Sequence, residues 1–193
     1  MKLFRTIEAV ADSHYCVGDV ITFTLNDGEE VEAMAVKQEQ DGMIFVLVDC
    51  LRDEYSMNRI SSNRTSSNRG GYKSCALRKA LNSEILHRFP DEIREKMVAF
   101  EGGDWLRLPT EKEIFGCNPY GENEPDDVEQ WEPMKDRRNR IAFQGSKTGT
   151  WEWYWLQNKV KGSAADFAFV YYFGDAYYYG ASAASGVRPA FKI

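Results

Sequence analysis

A chain of 193 residues with 43% apolar content supports one sizeable core. Its formal charge of −6, from 30 acidic against 24 Lys and Arg side chains, excludes the cation excess that non-specific binding to nucleic acid or an anionic membrane requires. No run of about eighteen apolar residues occurs, so no membrane insertion is expected, and no basic segment followed by an apolar run suggests a signal peptide.

Four cysteines, Cys16, Cys50, Cys75 and Cys117, lie far apart, with only His14 and His87 to join them. No C-x-x-C pair is present, so neither a zinc site nor a secreted disulfide framework is expected, and the thiols read as mostly buried. Gly18 to Asp49 reads as a three-stranded meander. Val20 to Leu25 turns at Asn26-Asp27-Gly28 into Val31 to Val36, and Asp41-Gly42 turns the chain into Met43 to Val48, apolar on both faces and hence a buried central strand. Leu51 to Gly71, with Ser-Ser-Asn-Arg at 61–64 and again at 66–69, reads as a long surface loop.

Helical spacing begins at Tyr72: Ser74 is placed to cap, and Leu77, Leu81, Ile85 and Leu86 recur on one face. Pro90 followed by Asp91 and Glu92 opens a second helix, and Thr110-Glu111-Lys112-Glu113 is a capping box opening a third that Gly116 ends. Gly121 to Asp127 is acidic but lacks calcium-loop spacing and reads as a solvated loop, with Arg137, Arg138 and Arg140 placed to pair with it. Trp151, Trp153, Tyr154 and Trp155 suit a strand whose Trp side chains fill the core.

From Ser163 to Ser185 the alphabet shrinks to Ser, Ala, Asp, Phe, Val, Tyr and Gly, with Tyr at 171, 172, 177, 178 and 179. Tyr offers a large rigid amphipathic surface, and Ser, Gly and Asp offer small polar contacts, which together make a recognition surface. Three adjacent Tyr on a strand point to both of its faces. The other reading is an aromatic run buried in a sheet.

The run WYWL at 153–156, the spaced Phe167, Val170 and Gly174, Ala181-Ser182, and the ending GVRPAF at 186–191 resemble the C-terminal variable region of proteins diversified by retroelements. Those proteins have a C-type lectin fold of the subgroup related to formylglycine-generating enzyme. LRLPTEKEIFG at 106–116 and RNRIAFQG at 138–145 are similar to the scaffold of uncharacterised bacterial and prophage domains with the same ending. The resemblance implies an α+β fold of antiparallel sheets, short helices and long loops. It implies one domain over 1–193, with scaffold at 1–150 and variable region at 151–193.

Position by position, Phe167, Val170, Gly174, Gly186, Val187, Arg188 and Pro189 match the fixed framework, with Arg188 anchoring the last strand. Tyr171, Tyr172, Phe173, Asp175, Tyr177, Tyr178, Tyr179, Gly180, Ala183 and Ser185 fall in the displayed, variable set, and Ala168 and Phe169 are undecided between inside and outside. In such systems Asn codons of a template are miscopied at adenine. Every residue type between Ser163 and Ser185 is reachable from such a codon by changing its first two bases, whereas Lys, Glu, Gln, Met and Trp, which are not reachable, are absent there.

The function implied is non-catalytic binding of a protein or glycan on another cell or host surface by a monomer without cofactor or metal, as a phage receptor-binding component or a displayed bacterial protein. A carbohydrate-binding module of the same fold, not diversified, is the alternative. The enzymes related to this fold need a late cysteine pair, and no Cys follows Cys117.

Overall fold

The run 43–48 is apolar at every position and therefore needs cover on both faces; that need sets the architecture of the computed structural model, which describes residues 6–7, 14–58, 66–145 and 149–193. Strand β4 (Gly42–Leu47) lies between β3 (Glu30–Glu39) and β10 (Ala190–Lys192). The five-stranded sheet runs β1-β2-β3-β4-β10, with β1 (Thr6–Ile7) parallel to β2 (Val20–Thr24) and the other pairs antiparallel. Met43, Phe45 and Leu47 enter one apolar cluster with Ile21, Phe89 and Phe191. Ile44 and Val46 enter the other with Met34, Trp131 and Tyr154. The expected meander and its central strand are present, with β3 longer than its apolar stretch alone indicates.

Short helices cover the first cluster. α1 (Gly71–Ser74) and α2 (Ala76–Ala80) meet at Cys75, whose Sγ, not the Ser74 hydroxyl, caps α2 by accepting from the Arg78 N–H at 3.3 Å. The expected helical face continues to Arg88 but is kinked at Asn82 (φ −94°, ψ 15°). The Asn82 amide donates to the Arg78 and Leu106 carbonyls and accepts from the Trp105 and Leu106 N–H groups, diverting backbone bonds out of the helix. α3 (Asp91–Arg94) has Pro90 at its cap rather than inside its first turn. α4 (Glu111–Phe115) carries the full Thr110/Glu113 capping box and ends at Gly116 with φ 77°.

The segment before α1 is more than a surface loop: Leu51, Met57 and Asn68 are buried, and Asn68 Nδ2 donates to the Ser163 and Asp166 carbonyls. Part of the expected loop, residues 59–65 with Arg64, lies outside the described residues. Cys50 and Cys75 are buried, whereas Cys16 and Cys117 are exposed, so only half of the thiols are core.

The second sheet, β7 (Tyr154–Lys159), β8 (Asp166–Val170) and β9 (Ala176–Gly180), is antiparallel throughout. A two-stranded ribbon, β5 (Ala142–Phe143) with β6 (Trp151–Glu152), flanks it. The architecture is α+β. Residues 151–193 are not a separate layer, because β10 completes the first sheet and Phe191 stacks on Phe45 at 5.6 Å.

The two sheets are tied at 186–188. The Arg188 guanidinium is buried, donates to the Leu47 carbonyl (2.5 Å), the Asn139 carbonyl (3.0 Å) and the Tyr154 hydroxyl (3.0 Å), and lies 5.1 Å from the centre of the Tyr154 ring. This is the anchoring role expected of it, made through carbonyls. Arg188→Met keeps most of the side-chain volume but leaves two buried acceptors, the Leu47 carbonyl and the Tyr154 hydroxyl, and the half-buried Asn139 carbonyl without their donor. It should cost about 3 kcal/mol in urea unfolding; a loss under about 1 kcal/mol would contradict the anchor.

Candidate ligand-binding face

Register decides which aromatic residues of the second sheet are inside. β8 pairs with β9 as Phe167↔Tyr179, Ala168↔Tyr178 and Phe169↔Tyr177. β8 is central and buried on both faces, so Ala168 and Phe169, undecided from sequence, are both core. β9 is outermost, and Tyr177, Tyr178 and Tyr179 stay 49%, 38% and 49% exposed. Tyr177 and Tyr179 stand over Phe169 at 5.8 and 6.3 Å, while Tyr178 meets Tyr120 at 5.0 Å.

The β8–β9 turn carries the next rings. Tyr171 N–H donates to the Asp175 carbonyl (2.8 Å) and Gly174 N–H to the Tyr171 carbonyl (2.7 Å). Gly174 has φ 78°, and a Cβ there would stand 2.8 Å from the Arg137 carbonyl, so glycine is required on two counts. Arg137 pins the turn from the 3-10 turn Arg137–Arg140: Nε donates to the Phe173 carbonyl (2.6 Å) and a terminal nitrogen to Asp175 (2.9 Å). Its expected partner, the acidic loop, is not used. Arg138 pairs with Asp136, and Arg140 donates to the Met134 carbonyl. In that loop Glu122, Asp126 and Asp127 are exposed, while Glu124 is held by Asn118, Asn158 and the Lys112 N–H.

Two tryptophans expected in the core belong to this surface instead. β6 ends at Glu152 and β7 begins at Tyr154, so the alternation breaks at Trp153. Trp155 is buried and donates to the Tyr55 carbonyl, Trp153 is half-buried, and Trp151 is 56% exposed on the ribbon. Trp153 is the hub: it stacks on Tyr172 (5.6 Å, 23°) and touches Tyr179 (5.7 Å), Tyr171 (6.0 Å) and Phe169 (5.3 Å). Trp151 meets Phe173 at 5.8 Å, and these two with Phe143, Thr150 and Tyr172 line a shallow groove of about 540 Å³. A continuous run of rings thus extends from Trp151 to Tyr120. Sequence reasoning missed Trp151, Trp153 and Tyr120; the Trp pair sits where the restricted alphabet has not yet begun.

Of the expected displayed residues, Tyr171, Tyr172, Phe173, Tyr177, Tyr178 and Tyr179 come together, with Asp175 at their border. Gly180 closes the strand, and Ala183 packs partly against the core. Ser185 does not belong to the face: it is buried, exchanges backbone bonds with Tyr55 and donates its hydroxyl to the Trp153 carbonyl (2.9 Å). Gly186 is equally confined, because a Cβ there would meet Glu152 Cγ, Cys50 Sγ and the Trp153 carbonyl at 2.6 to 2.7 Å.

A larger cleft of about 1310 Å³ shares no lining residue with the aromatic run. Several of its charged side chains are matched internally, Arg107 with Glu113 (2.6 Å), Arg78 with Asp104 (2.7 Å) and Lys192 with Asp41 (2.8 Å). Among the described residues no group of three or more His, Cys, Asp or Glu is placed to hold a metal ion, and no helix is long and apolar enough to cross a membrane.

Residues 48–130 match DUF6273, a domain of unknown function. No curated protein and no solved structure matches the chain. The matched stretch spans α1 to α4 and contains Leu106 to Gly116; the aromatic face, apart from Tyr120, follows it.

Beneath the hub, Glu152 is buried between Trp151 and Trp153. Its carboxyl is pushed up to about 7: burial is the largest cause, the Trp153 N–H (2.8 Å) works against it, and the neighbouring Glu54 carboxylate, hydrogen-bonded to it, adds to the rise. A carboxyl raised in the folded state holds its proton after the unfolded chain has released one, so its stabilising effect is complete below about pH 4.5 and lost as pH rises to about 7. Glu152→Gln keeps the acceptor for Trp153 and removes the titration. The variant should match the wild type at pH 4.5 and exceed it at pH 8 by about 1 to 2 kcal/mol in urea unfolding, the full shift being reduced by solvent screening. Parallel pH profiles would contradict this.

Proposed function

We propose that the chain is a non-catalytic ligand-binding protein of the C-type lectin fold, whose aromatic face is the part varied by a retroelement. The observation that carries this reading is the exposure of Tyr177, Tyr179, Phe173 and Trp151 in one connected run of rings, which Tyr178 continues onto the other face of β9. An apolar surface rimmed by polar groups marks an interaction site, and clustered Tyr and Trp supply its dominant contacts. Its frame supports the reading as well: Gly174, Gly186 and Arg188 are held by close packing or buried bonds, so the rings can change without the sheet changing. The ligand is a protein or glycan on another cell or host surface. The groove at Trp151 and Phe173 favours the second reading, a carbohydrate-binding module of fixed sequence, since a sugar ring stacks on such a pair.

Replacing Tyr177, Tyr178 and Tyr179 together by Ala removes half-exposed rings and leaves the core intact. On protein and glycan arrays the triple variant should lose wild-type binding by at least tenfold, with Tm lowered by no more than a few degrees. Unchanged binding would rule out the face, and a collapse of Tm would show that the rings are structural.

A further inference from the structure

The outer edges of the two large sheets are treated differently. Beyond β10, the Val98 and Arg107 N–H groups donate to the Lys192 and Ala190 carbonyls at 2.8 and 3.0 Å. Beyond β7, Gln157 N–H donates to the Pro109 carbonyl, Glu122 N–H to the Lys159 carbonyl and Lys161 N–H to the Tyr120 carbonyl. β2 has β1 alongside it. β1, described only at 6–7, ends the first sheet on that side, and β9 ends the second; among the described residues β9 has no strand paired along its outer side, and only Ser66 meets its C-terminal end, where its hydroxyl accepts from the Ser182 N–H at 2.9 Å.

Hydrogen-bond parity identifies the groups left there. Tyr171 N–H bonds the Asp175 carbonyl and Ala181 N–H the Ala165 carbonyl (2.9 Å), in the same register as Asp166↔Gly180. Antiparallel pairs alternate, so Tyr177 and Tyr179 direct their backbone groups to β8, and Ala176 and Tyr178 direct theirs outward. Ala176 to Gly180 contains no charge, no proline and no register break, the features by which natural edges block pairing.

We propose that this edge takes an extended segment of a protein partner as a fourth strand on β7-β8-β9, so that the ligand of the aromatic face is a polypeptide; this rests on the ligand-binding reading of that face. Outward N–H and C=O pairs two residues apart match the repeat of a polypeptide strand and of no sugar. Tyr177 and Tyr179 on one face and Tyr178 on the other then flank alternate side chains of the added strand. A second copy of this chain is disfavoured as the occupant, since each carries a charge of −6, whereas the uncharged edge sets no charge requirement on a foreign strand.

The test uses the full chain and twelve-residue peptides selected on it from a random library. Tyr178→Pro removes the outward N–H and is compatible with an edge strand, whereas Tyr178→Ala removes only the ring. Tyr178→Pro should weaken binding of the selected peptides at least tenfold beyond Tyr178→Ala, at unchanged circular dichroism. Backbone N-methylation should abolish binding at alternate peptide residues and leave it intact at those between, an arm that holds even if the proline variant does not fold. Equal effects of the two substitutions together with no two-residue N-methyl period, or a library that yields no binder, would overturn strand addition while leaving the face open to a glycan. Binding undiminished by Tyr177→Ala/Tyr179→Ala would instead overturn the ligand-binding reading itself. A dimer in sedimentation that Tyr178→Pro dissociates would make a second copy the occupant and overturn the foreign polypeptide.

Discussion

The buried guanidinium of Arg188 is the contact on which the rest depends. A buried cation must be matched at each of its donors, and here the partners are the end of β4, the 3-10 turn at 137–140 and the first residue of β7. One side chain therefore fixes the first sheet, the element that pins the β8–β9 turn, and the strand beginning the second sheet. Gly186, two residues earlier, lets the chain pass between Cys50, Glu152 and Trp153, where any Cβ would collide. The geometry of the aromatic face follows from this junction rather than from the rings.

Order in the face falls off outward. Phe167 and Phe169 are core and Trp153 is half-buried; Tyr177 and Tyr179 rest on Phe169, and Phe173 and Trp151 pack on each other, all four with one side to solvent. Such layering separates the rings that carry stability from those proposed to bind: the inner rings supply burial, and replacing the outer ones costs the fold little. Glu152 is the exception. It lies between Trp151 and Trp153, accepts from the Trp153 N–H and shares a hydrogen bond with Glu54, so a carboxyl raised by burial sits beside the hub.

Much of this was legible in the residues. The meander could be read because Asn26-Asp27-Gly28 and Asp41-Gly42 are local turn signals, and α4 because Thr110, Glu113 and Gly116 act within one helix. The Tyr cluster stood out by composition. What local pattern did not reveal was set by long-range pairing. Trp151 and Trp153 look like core residues of one strand until the chain breaks between β6 and β7. Ser185 belongs to the restricted alphabet but is pulled inside by Tyr55, 130 residues earlier by numbering. Arg137 pairs not with the nearby acidic segment but with Asp175, 38 residues further on, because the fold brings the β8–β9 turn against the 3-10 turn at 137–140. Ala168 and Phe169 were ambiguous because period two tells which residues share a face, not that both faces are covered.

The central claim is that a buried frame carries an outer layer free to vary, and the DNA around this gene tests it most directly. The account predicts a near copy of the codons for Ser163 to Ile193 beside a reverse-transcriptase frame, differing from the gene almost only at adenines. Those differences should fall on Tyr171, Tyr172, Phe173, Asp175 and Tyr177 to Tyr179 and spare the buried Ala168, Phe169, Ser185 and Arg188. Absence of such a copy, or differences spread evenly over buried and exposed positions, would contradict it.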